Sequence, residues 1–76
     1  MPRMELEQAN KLMVEAQAAS DRAMRSHQLA MTAFNVACAR FDWKQAQVEH
    51  DTALFFLDSM MLTLVSMHQI TEAAQP

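Results

Sequence analysis

Glycine is absent from this 76-residue chain, and its only two prolines are Pro2 and Pro76. No interior position therefore holds either of the residues that most readily break helices or build tight turns. Tyrosine is missing, and the β-branched aliphatics are few: Val14, Val36, Val48, Val65 and Ile70. Strands draw on those types, so a chain dominated by Ala, Leu, Met, Gln and Glu reads as all-α. Cys38 is the single cysteine; it excludes an intramolecular disulfide and makes a reducing, cytoplasmic setting the simpler expectation. Met1-Pro2-Arg3-Met4-Glu5 has neither a hydrophobic core nor a cleavage pattern and does not read as a signal peptide.

Positive charge is also missing, but only beyond Lys44. Residues 1–44 hold all six bases (Arg3, Lys11, Arg22, Arg25, Arg40, Lys44) against five acids, whereas the remainder holds Glu49, Asp51, Asp58 and Glu72 with no base. The net −3 thus divides into +1 and −4. Mutual attraction between two packed helices is the plain reading of that split, and an acidic face for a basic partner the sharper one.

What is present is a repeat. Alanine stands at every seventh position through Ala9, Ala16, Ala23, Ala30 and Ala37, beside a larger column of Leu6, Met13, Ser20, His27, Phe34 and Phe41. Residues three or four apart share a helix face, so the two columns form one long stripe that needs a partner surface. Small side chains let a second backbone approach while the larger column fills the flank, which is the pattern of helix-to-helix packing. The helix-packing seam is therefore expected at Ala9, Ala16, Ala23, Ala30 and Ala37, with Phe34 and Phe41. Ser20 and His27 put two polar groups into it, a device that fixes register at some cost in stability, with a pH-sensitive interface as the alternative.

The best turn signal is Phe41-Asp42-Trp43-Lys44-Gln45: Asp42 suits an N-cap, Gln45 stands where a capping box places its partner, and Phe41 with Ala46 fits a hydrophobic staple. Beyond it the alanine column would continue through Lys44, Asp51 and Asp58, so packing is expected to move to Ala46, Ala53, Met60, Met67 and Ala74, bordered by Trp43, Leu57 and Leu64. These signals predict one helical domain over residues 1–76. It is an antiparallel hairpin of two long helices, about 4–41 and 43–74, with its turn at about 41–44 and Pro2 in the first turn. A chain of this size is marginal alone, so the hairpin is expected to dimerise into a four-helix bundle or coiled coil. Two other arrangements fit the stripe: three helices broken near Ser20-Asp21, and a single rod in a coiled coil, which the unbroken run Phe41, Val48, Phe55, Leu62 favours.

Chemistry finds little footing. His50 lies between Glu49 and Asp51, but neighbouring helical residues diverge by about 100° and do not chelate one ion together. His68 and Glu72 share a face and make two ligands at most. Cys38 and His27 are eleven residues apart, about 16 Å along a helix axis. The loops that cradle phosphate or an oxyanion need glycine. No catalytic residue, cofactor or metal site is expected, and the chain reads as a non-enzyme. Scattered bases, an acidic total and no tyrosine argue against nucleic acid and leave an RNA-binding helical hairpin as a minor alternative.

The segment Ala53–Met67 is the most apolar stretch; at 15 residues, with Asp58 inside it, it falls short of the about 20 that cross a bilayer. Membrane association is accordingly a minor expectation. The segment reads instead as a helix covered on two sides, by its own hairpin and by another chain. Met24, Met31, Met60, Met61 and Met67 support this, since the thioether suits surfaces that adapt to a partner. The expected function is protein binding, as a small adaptor, inhibitor or chaperone-like subunit. The expected interface is Phe55, Phe56, Met60, Met61, Leu64 and Met67 with Trp43 as an anchor. The expected partners are a second copy and another protein; a purely structural homo-oligomer is the alternative.

Overall fold

Residues 5–74 are described by the structure, a computed structural model. They form α1 (Leu6–Ala39) and α2 (Trp43–Ala74), packed against each other as a hairpin. At about 1.5 Å per residue, 34 residues span about 51 Å, which matches the 55 Å long axis of a molecule only 17 and 11 Å across. A single rod is thereby ruled out, and Ser20 and Asp21 remain helical, so among the described residues there is no third helix. Neither residue is followed by a helix breaker, and the alanine column needs the same face on both sides of them. The expected start at residue 4 and the role of Pro2 lie outside the described residues. Among these, Glu5 precedes α1 in an extended conformation and its carbonyl accepts the first helical bond, from Ala9 N–H at 2.8 Å.

The turn is tighter than the sequence suggested. Asp42 N–H donates to the Ala37 carbonyl at 2.9 Å and Phe41 N–H to that of Cys38 at 3.0 Å, the paired bonds of a Schellman ending. Phe41 takes the left-handed conformation this ending requires, φ 58°. Glycine normally fills that position; a bulky residue there costs about 1–2 kcal/mol. Asp42 then caps α2: its Oδ1 accepts from Gln45 N–H at 3.2 Å and its carbonyl from Ala46 N–H at 2.9 Å. The capping box is only half made, because the Gln45 side chain donates forward to Glu49 Oε1 at 2.7 Å.

Two expectations about Phe41 are corrected here. It belongs to neither helix, and its ring stands 76% exposed instead of filling the seam. It meets Trp43 edge-on at 5.9 Å. The left-handed residue breaks the seven-residue phase, so the column that runs through Phe34 on α1 is not continued by Phe41.

Packing between the helices is built on the smallest side chain available. Ala9, Ala23, Ala30 and Ala37 of α1 are buried with Ala46 and Ala53 of α2, and Ala16 is half-buried. Among the described residues nothing larger than alanine is buried. Small residues let helix axes draw together, but each removes little apolar surface from water, about 0.8 kcal/mol per methylene.

Candidate protein-interaction surface

Rotation of the two helices about their axes decides which side chains are spent inside the hairpin. On α2 the inner columns are Ala46, Ala53, Met60, Met67 and Ala74, with Glu49, Phe56, Thr63 and Ile70 three residues on; all of these are buried or half-buried. The border expected at Trp43, Leu57 and Leu64 is displaced: Trp43 is 62% exposed, and Leu57 and Leu64 are also exposed. The column turned toward α1 in its place is Glu49, Phe56, Thr63 and Ile70, the more polar of the two that flank the alanines.

The expected interface set is accordingly divided. Phe56, Met60 and Met67 are half-buried on the side of α1, whereas Phe55, Met61, Leu64 and Trp43 point outward. Phe55 and Phe56 remain in contact across this divide, edge to face at 5.4 Å.

Outward-facing apolar residues of α2 form a stripe that the sequence reading did not isolate. His50, Leu54, Leu57, Met61, Leu64 and His68 follow one another at alternating spacings of four and three, the rhythm of a coiled-coil seam. All six are exposed. Phe34 of α1 stacks against His50, ring centroids 5.8 Å apart, which fixes the side of the hairpin on which this stripe lies. On α1 the same side carries Met24, His27, Met31, Phe34 and Cys38 at the same alternating spacing. Two matched stripes thus lie side by side as one broad apolar face. The opposite edge of α2 is polar instead, with Thr52, Ser59 and Ser66; the hydroxyls of Thr52 and Ser59 are turned back onto the Val48 and Phe55 carbonyls.

A third column, Val48, Phe55 and Leu62, runs beyond the charged residues Asp51 and Asp58; Phe55 is 66% and Leu62 68% exposed. The solvent-accessible surface of the chain is 5948 Å². A compact monomer of 8.6 kDa has about 4,700 Å² by the usual scaling, so this hairpin exposes roughly 1,200 Å² more.

The titratable side chains are mostly placed along exposed faces. His68 Nε2 is 3.0 Å from Glu72 Oε1, one turn away, as their spacing implied, and His50 Nδ1 is 4.0 Å from Asp51 Oδ1. Among the described residues no three His, Cys, Asp or Glu side chains converge on one point. Cys38 and His50 line a common groove with Phe34, Trp43, Ala46 and Gln47 near the turn. That juxtaposition crosses between helices and so was not visible in the spacing of either. By length and composition α2 also qualifies to cross a membrane, with a mean hydropathy of 1.4 over its best 18-residue window. Comparison with protein-family models, with curated proteins and with solved structures finds no match to this chain.

Proposed function

We propose that this hairpin is a non-enzymatic protein-interaction module that dimerises into a four-helix bundle and offers the remaining apolar column of α2 to another protein, as a small adaptor, inhibitor or chaperone-like subunit. The observation that carries this reading is the division of the side chains. Among the described residues only alanines are buried between the helices, while Leu54, Leu57, Met61 and Leu64, together with Phe55 and Leu62, are outside. A hairpin so constructed keeps its largest source of hydrophobic free energy for contacts it does not make alone. Protein is favoured over lipid as the covering medium because Asp51, Asp58 and Glu72 run between the apolar columns, and a carboxylate at the bilayer centre costs about 2.5–3.5 kcal/mol.

Mass in solution tests the reading. The expected result is a species of twice 8.6 kDa that still binds an apolar dye, with dye binding reduced by Phe55→Asp/Leu62→Asp and the dimer retained. A helical monomer at micromolar concentration overturns it, as does flotation with lipid vesicles in place of self-association. The excess area supports a second reading, a structural homo-oligomer with no other partner, because one dimer contact would cover it. A dimer that binds no dye selects that reading.

A further inference from the structure

We infer that the face formed by Met24, His27 and Met31 of α1 with Leu54, Leu57, Met61 and Leu64 of α2 is covered by the same face of a second copy. This rests on the self-association proposed above and adds which surface meets.

The first support is area. The roughly 1,200 Å² that each hairpin exposes beyond a compact monomer amounts to about 2,400 Å² for a pair, within the range of obligate homodimers. The second is pattern. Each helix contributes residues at alternating spacings of three and four on this face, the arrangement in which side chains of one helix seat between those of another. The opposite edge of α2 offers hydroxyls that are already bonded to its own backbone.

Mass in solution of the full chain tests the face: Leu57→Asp is expected to shift the dimer to monomer and Phe55→Asp to leave it. A Leu57→Asp chain that stays dimeric, or a Phe55→Asp chain that dissociates, overturns the face while leaving self-association intact, and a wild-type monomer overturns both.

Discussion

Two stripes run along α2 with the same seven-residue repeat, and only one of them is buried against α1. The inner stripe begins with Ala46 and Ala53, both buried, and the outer one is Leu54, Leu57, Met61 and Leu64, all exposed. Burying an alanine methyl is worth about 0.8 kcal/mol, whereas burying a Leu or Met side chain is worth about 1.5–3 kcal/mol. The inner stripe therefore sets distance and register, and the outer one holds most of the free energy still to be gained. Size, and not hydrophobicity as such, separates a seam that closes within one chain from a face that waits for a second.

The largest expected effect removes the outer stripe. Leu57→Ala/Leu64→Ala is expected to cost about 2–5 kcal/mol per leucine if both are covered in a dimer, and within about 0.5 kcal/mol in total if they stay in water. Unfolding followed by circular dichroism at several protein concentrations distinguishes these: the wild-type midpoint rises with concentration and that of the variant drops sharply. A variant as stable as the parent would erase the contrast between the stripes.

Next comes the inner stripe, attacked by addition. Ala53 is only 2% exposed, so Ala53→Leu forces three extra carbons between closely spaced backbones and is expected to lose about 1–3 kcal/mol. Ala18, exposed on the outer side of α1, is the control: Ala18→Leu should leave the melting temperature nearly unchanged. Equal effects at the two sites would mean that the seam is not closely packed.

Much of this contrast was legible in the sequence. The alanine column identified the seam because a strict seven-residue period survives any small error in helix phase, and Asp42 marked the start of α2 because a carboxylate there satisfies free amides whatever lies around it. Phe41 was misassigned for the same reason the seam was found: its column continues through Val48, Phe55 and Leu62 as if one helix ran on, and nothing local signals that a phenylalanine will take φ 58°. The outward position of Leu57 and Leu64 depends on how α2 is rotated. Of the columns on either side of Ala46 and Ala53, the one with Glu49 and Thr63 faces α1 and the one with Leu57 and Leu64 does not, the reverse of what hydrophobicity alone selects.

The link itself supplies the next test. Asp42→Ala removes the only side-chain acceptor at the start of α2 and is expected to cost about 1 kcal/mol. In a chain of this size that lowers the melting temperature by about 4–8 °C. Because the cap lies outside both stripes, the loss should be the same at every protein concentration. A concentration-dependent loss would show that the turn contributes to association.

Phe41→Gly should act in the opposite direction and most weakly. Glycine adopts the left-handed conformation without the about 1–2 kcal/mol charged to a bulky side chain. Against this stand the edge-on contact with Trp43, worth about 0.5–1.5 kcal/mol, and the greater freedom of glycine in the unfolded chain. The balance is a gain of at most about 1 kcal/mol, a rise of a few degrees in the melting temperature. The dimer should be unaffected, since Phe41 has left the column that its spacing assigns to it. If the variant folds more stably but dissociates, the exposed Phe41 ring belongs to the outer face after all, and the comparison between the stripes must extend around the turn.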